Sequence, residues 1–229
     1  MLNGRSIPSS QVRSLTVEAV EAAASLMSDP IVDEAWERPS VLDGMTVGAL
    51  CAHLVRAAGA TIAYLDRSDP TTESDAGVDA GIGADVETLS AVTYFRAALE
   101  APIHDRIKEV SATEAAAGPG ATSAACTELA NRLGQRLAQE PPDRMIEALG
   151  DRLLTLDDFC RTRLIEVLLH IDDLARSVDL PTPDTDPDGR AVVIDVLVGI
   201  ARDRDGDWPI IHALARRERA DGSGPFPVF

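Results

Sequence analysis

The stretch TLDDFCRTRLIEVLLHIDDLARSVD (155–179) decides the fold. Thr155 followed by Asp157 and Asp158 reads as a helix start, because acids favour the positive end of the helix dipole. Residues 164–171 are almost all apolar, which a central, buried helix needs. One polar line interrupts them: Arg163, Glu166, His170 and Asp173, spaced three and four apart and so about one turn apart on a single face. Around it stand Leu164, Ile165, Val167, Leu168, Leu169, Ile171 and Leu174.

Working outward, the same periodicity recurs. Val12, Leu15, Ala19, Ala22 and Leu26 predict an amphipathic helix over 10–28, ended by Asp29-Pro30. Residues 30–44, with Trp36, Pro39 and Asp43-Gly44, read as a structured loop. Thr46 can cap a second helix whose stripe is Val47, Leu50, Leu54, Ala57, Ile62 and Leu65. Residues 66–83 have no periodicity and read as a loop. A third helix is expected over 84–112, broken or kinked at Pro102, and a fourth over 122–139, with AAAGPGATS (115–123) as the linker between them. After the linker PTPDTDPDG (181–189), AVVIDVLVGIARD (191–203) predicts another helix; its VVIDVLVGI core would also suit a buried strand, but it has no partner strand. A last short helix is expected from Trp208 to Arg219. The expected fold is all-α, a helical bundle with no strand pair, divided into a bundle over 1–180 and a helical extension over 181–229.

Composition narrows the function. The chain has 229 residues, 45% hydrophobic and 26% charged, which suits a globular fold. Aromatic residues make up only 3%, which favours packed helices over a β-sandwich. A formal charge of −17 opposes binding to nucleic acid and to anionic membrane surfaces. No apolar run reaches the roughly 18 residues of a transmembrane helix, and MLNGRSIPSSQ lacks the apolar region of a secretory signal. Cys51, Cys126 and Cys160 are odd in number and far apart, so no disulfide framework is expected and a reducing, cytoplasmic setting is the simplest reading. Of 21 basic side chains, Lys108 is the only lysine, a mark of GC-rich bacterial coding.

The polar line is where chemistry would sit. An unpaired carboxylate buried on such a helix costs several kcal/mol or shifts its pKa. A metal ion resolves this, since a carboxylate and an imidazole at i and i+4, here Glu166 and His170, can bind one divalent cation. A third ligand must come from another element, and His53, beside the second helix's apolar stripe, is the best candidate. Two histidines and one glutamate leave coordination positions open, as catalytic sites do. Asp173 could then orient a ligand histidine. Spacing alone leaves the alternatives open: Arg163 and Glu166 as an intrahelical ion pair, and His53 as a hydrogen-bonded core histidine. Cys51, two residues from His53, should point away from it. His104 is a further, weaker candidate as a closing ligand.

Two segments carry a resemblance. WERPSVLDGMTVGALCAHLVRA (36–57) and RTRLIEVLLHIDDLARS (161–177) resemble the two signatures of the mycothiol-dependent maleylpyruvate isomerase family, in the expected order and separation. The similarity spans about residues 10–180. Met45 stands where the family usually has Trp, and the helix around 84–113 looks like extra material between bundle helices two and three. The C-terminal part is too short for the α/β domain of the full isomerase and looks like the shorter helical ending of other relatives, ALARRERA (213–220) included.

The resemblance implies a DinB-like four-helix bundle, an actinobacterial type of thiol metabolism, and a divalent metal, usually zinc, on His53, Glu166 and His170. It also implies a low-molecular-weight thiol, mycothiol or a similar one, that attacks a small electrophilic substrate to isomerise it or to transfer sulfur. Arg163, or Arg216 and Arg217 of the tail, could hold a substrate carboxylate, although the two tail arginines read first as a solvated helix face. The expected partners are the thiol and the substrate, with a homodimer also open to such bundles. The alternative is a non-catalytic metal-binding sensor or protein-interaction module, with apolar surface on 191–203 for dimerisation or a partner.

Overall fold

The computed structural model describes residues 8–67, 87–99, 104–150 and 152–215. In chain order its elements are α1 (Ser9–Met27), α2 (Pro30–Glu34), α3 (Val47–Leu65), β1 (Thr88–Leu89), α4 (Ala91–Leu99), α5 (His104–Ala115), α6 (Pro119–Gln139), β2 (Met145–Ala148), β3 (Arg152–Thr155), α7 (Leu156–Ser177), α8 (Pro187–Asp205) and α9 (Asp207–Ala215). Threonine caps start the two helices that matter most. The Thr155 hydroxyl accepts from the Asp158 amide at 3.0 Å, and the Thr46 hydroxyl accepts from the Ala49 amide at 3.1 Å. Each satisfies an amide that the first helical turn leaves without a partner.

Four helices form the bundle. α1 packs on α6 and α7, and α3 packs on the same two from the other side. Leu50, Leu54, Leu133, Phe159, Leu164, Ile171 and Leu174 fill the space between them and are fully buried. Each such side chain contributes roughly 1.5–3 kcal/mol by leaving water. α5 covers the outer side of α3, while α8 packs across α4, α7 and α1. The apolar core of 191–203 is therefore helical rather than a strand. Its helix begins earlier than the sequence indicates, at Pro187, with the Asp186 carboxylate accepting from the Asp188 amide.

Two close contacts fix the ends of the bundle. The buried Trp36 donates from its indole nitrogen to the Ala115 carbonyl at 3.3 Å. A Cβ at position 48 would lie 2.5 Å from that indole, so Gly48 is what lets α3 pass. At the opposite side Arg13 on α1 meets Asp157 on α7 at 2.7 Å and also donates to the Glu140 and Pro141 carbonyls. Asp157 is thus a buried ion-pair partner as well as a first-turn acid.

The expectation of no strand pair is corrected. A three-stranded sheet, in the order β1-β3-β2, sits at the start of α7. β1 runs parallel to β3 and β2 runs antiparallel to it, with Ile146 opposite Leu154. Leu149 (φ 54) and Gly150 (φ 94) make the turn that joins β2 to β3. Strands of four residues or fewer carry little periodic signal, and this sheet persists because Leu89, Ile146, Ala148 and Leu154 are buried. The start of the helix expected over 84–112 is corrected too. The segment is β1 followed by α4 and α5, and the Ser90 hydroxyl accepts from the Thr93 amide where α4 begins. The proposed break at Pro102 lies outside the described residues, as do most of the loop 66–83 and the end of the helix expected to reach Arg219. The segment 30–44 contains the short α2, capped by Asp29.

Candidate metal centre

The polar line on α7 turns toward α3. There His53, Glu166 and His170 converge, one ligand-capable atom of each lying within 4.8 Å of the other two. The Nε2 atoms of His53 and His170 are 3.1 Å apart. His170 Nε2 is 3.5 Å from the Glu166 carboxylate. A tetrahedral zinc site with bonds of about 2.0–2.1 Å has ligand-to-ligand edges of roughly 3.3 Å. The donor set and its spacing therefore fit a divalent cation with only small side-chain adjustments. Among the described residues it is the one cluster of this kind.

The rear nitrogens of the two rings meet opposite charges. His170 Nδ1 lies 3.0 Å from the Asp173 carboxylate, which can only accept, so that nitrogen carries the proton and leaves Nε2 facing the site. His53 Nδ1 lies 3.0 Å from the guanidinium of Arg56, which can only donate, so Nδ1 is the acceptor. Arg56 also donates to the Ser111 hydroxyl at 2.9 Å and sits 3.2 Å from Glu114.

Proton affinities follow from this arrangement. Burial first, then the charges of His170 and Arg56, pull His53 down to about 4. Burial also works against a charged His170, but the hydrogen bonds to Glu166 and Asp173 outweigh it and hold His170 above its ordinary value. Burial alone would raise Glu166; the His170 hydrogen bond and the Arg163 charge hold it below the usual range. At neutral pH the cluster thus offers a neutral imidazole and a carboxylate, the forms that bind metal.

The cluster forms part of the wall of a cavity of about 530 Å³, whose lining also includes Arg163, Tyr94, Phe95 and Lys108. Arg163 is 8% exposed. It makes no ion pair with Glu166. It donates to the Thr162 and Tyr94 hydroxyls and the Ala57 carbonyl, at 3.1, 3.4 and 3.4 Å, and stacks 5.0 Å above the Phe159 ring. Burial raises the Tyr94 phenol, keeping it protonated. A second groove, of about 550 Å³ between α3 and α6, is lined largely by alanines.

None of the three cysteines reaches the cavity. All are buried, and burial pushes each thiol up to about 12. A thiolate acting here would have to come from outside the chain.

Of the residues singled out from sequence, His53, Glu166, His170, Asp173 and Arg163 come together. Arg216 and Arg217 lie outside the described residues, as does the side chain of His104 at the start of α5. Sequence reasoning missed Arg56, Tyr94 and Lys108. Arg56 had a signal, since it stands three residues after His53 and shares its helix face. Tyr94 and Lys108 reach the site only through the tertiary placement of α4 and α5.

Comparison with known proteins adds one finding. The family described as mycothiol maleylpyruvate isomerase N-terminal domain matches the chain over residues 17–175, a span that contains the whole cluster. No curated protein and no solved structure matches the chain.

Proposed function

The chain belongs to the mycothiol maleylpyruvate isomerase N-terminal domain family, and from that membership and the cluster's geometry we propose a metal-dependent enzyme that uses a low-molecular-weight thiol on a small electrophile. The observation that carries this reading is two imidazoles and a carboxylate within bonding span of one cation, on the wall of a cavity large enough for a small molecule. Three protein ligands beside open space leave a coordination position for an exogenous group, as catalytic sites do.

In this reading His53, Glu166 and His170 hold the cation, and their two nitrogens and one oxygen suit zinc. When bound, the cation would lower the pKa of a thiol so that its thiolate is present at neutral pH. Asp173 keeps His170 in the tautomer that faces the site. Arg163 is the carboxylate-holding group, its fork already aligned by Tyr94 and the Ala57 carbonyl. Phe95 and Ala98 provide the apolar wall.

The reaction has two outcomes. The thiol loses its proton and its sulfur bonds to one carbon of an electron-poor double bond, which becomes a single bond. Rotation followed by C–S cleavage returns the isomerised substrate and the unchanged thiol. Uptake of a proton at the neighbouring carbon retains the sulfur and gives a thioether.

Elemental analysis of the wild type beside Glu166→Ala tests the reading. About one equivalent of zinc in the wild type, lost in the variant, is the expected result. A wild type that binds no metal after reconstitution would overturn it. A non-catalytic interaction module is the second reading, favoured by the exposed Ile194 on α8 (59%) and Trp208 on α9 (69%). A zinc-loaded protein that accelerates no thiol addition to any activated alkene, and binds no thiol, would favour that reading instead.

A further inference from the structure

Lys108 is the only lysine in a chain whose other 20 basic side chains are arginine, and it lines the cavity that holds the metal cluster. Its place there is shaped. Gly44 adopts φ +75, and a Cβ at that position would meet the Lys108 ammonium at 3.1 Å and its Cδ at 3.5 Å. The lysine therefore lies along the bare backbone of the loop before α3, where a larger residue would displace it. Among the described residues Lys108 has no ion-pair or hydrogen-bond partner. That is notable in a chain with 38 acidic side chains. Asp43 lines the same cavity without pairing with it.

Arg163, which lines the same cavity, is in a comparable state. Its donors go to neutral oxygens, two of them at 3.4 Å, and no carboxylate pairs with it. Arg56, the third cation of the lining, is committed to His53, Ser111 and Glu114. Two cations on α5 and α7 thus face one partly enclosed space that Asp43 and Glu166 also line, and among the described residues neither carboxylate is in ion-pair contact with them. Field lines focus in such a space and attract anions even where the whole protein repels them.

We propose that Lys108 is the residue that contacts the substrate's anionic group and selects anionic over neutral electrophiles, with Arg163 engaging the opposite end of the molecule. This rests on the enzyme reading above and assigns it a specificity residue on α5. Arginine at 108 would keep the charge but place a wider, planar head against Gly44, so the compact ammonium is the better fit.

The single ε-amine makes the test direct. Zinc-loaded protein is acetylated with an activated acetate ester, and modification of Lys108 is followed by peptide mass spectrometry, in the presence of succinate or of its neutral isostere succinamide. Succinate should slow acetylation several-fold and succinamide should not; equal rates with both would overturn the proposal. Calorimetry on Lys108→Met should show succinate binding about tenfold weaker, the cost of removing one charge-assisted contact, with Lys108→Arg recovering part of it. Metal content is measured on every sample. Full zinc loading with unchanged succinate affinity in Lys108→Met would sink the Lys108 assignment alone. A wild type without zinc would instead sink the enzyme reading, while the acetylation comparison, run on the metal-free protein, would still report on Lys108.

Discussion

The Nε2 atoms of His53 and His170 face each other at 3.1 Å, while the opposite nitrogen of each ring is held by a group of opposite charge, Arg56 for His53 and Asp173 for His170. With both rings neutral, Arg56 donates to His53, His53 to His170, and His170 to Asp173. The chain of donors is satisfied without a metal. In that neutral form His170 presents a lone pair to the site, whereas His53 presents a proton. A cation must therefore displace that proton to Nδ1, and Arg56 must withdraw.

Arg56 should accordingly oppose metal binding. Arg56→Met is expected to bind zinc more tightly, by about tenfold on the scale of second-layer effects. Competition against a chromophoric chelator measures this, and an affinity equal to or below that of the wild type would contradict the tautomer argument.

Asp173 should act in the opposite direction. Asp173→Ala frees the His170 ring and removes the acceptor that holds its tautomer. Zinc affinity should fall by about 10- to 100-fold. The same chelator assay reads it, and an unchanged affinity would remove Asp173 from the site.

Acid should weaken the metal-free protein through His53. In the unfolded chain an imidazole takes up its proton near pH 6.5, while in the fold burial holds His53 down to about 4. Between those values the unfolded state binds more protons, so the contribution of His53 to stability falls as pH falls. His170, held above its ordinary value, contributes in the opposite sense: its stabilisation is present in acid and is lost as pH rises through its folded pKa. Urea unfolding of the metal-free protein at pH 7, 5.5 and 4.5 should show a shallower acid loss for His53→Gln than for the wild type. A steeper loss would refute the assignment.

Arg13 and Asp157 make a stability prediction away from the site. Their side chains are 12% and 8% exposed. Asp157→Ala leaves a largely covered guanidinium without its counter-charge and should cost about 3 kcal/mol. Chemical denaturation measures it, and a loss under about 1 kcal/mol, the range of exposed pairs, would show the pair to be solvated.

The buried cysteines predict silence toward thiol reagents. With each thiol pushed up to about 12, an aromatic disulfide reagent should titrate none in the native protein and all three after denaturation. A native cysteine that reacts at once would reopen the question of whether the attacking sulfur belongs to the chain.

Much of this was legible in one dimension because helices write their faces into the sequence at spacings of three and four. The stripe on α3, the cap residues Thr46 and Thr155, and the line from Arg163 to Asp173 could all be read that way. Glu166 and His170 lie on one helix, so their proximity follows from helical geometry alone. His53 came into the set as the best remaining histidine, supported by the resemblance of 36–57 to its family. The strands were not legible, because Met145–Ala148 and Arg152–Thr155 are too short to establish an alternating pattern and are held by burial against helices.

By itself, then, the sequence determined the helices, their buried faces and the i, i+4 pair on α7, since these depend on neighbours within a turn or two. Only the tertiary structure decided that His53 faces that pair at 3.1 Å, that Arg56 and Asp173 fix the two rings in opposite senses, and that Lys108 and Tyr94 reach the same cavity. Those residues lie on elements separated by scores of positions along the chain. Their meeting is set by how α3, α4, α5 and α7 pack, which no local spacing encodes.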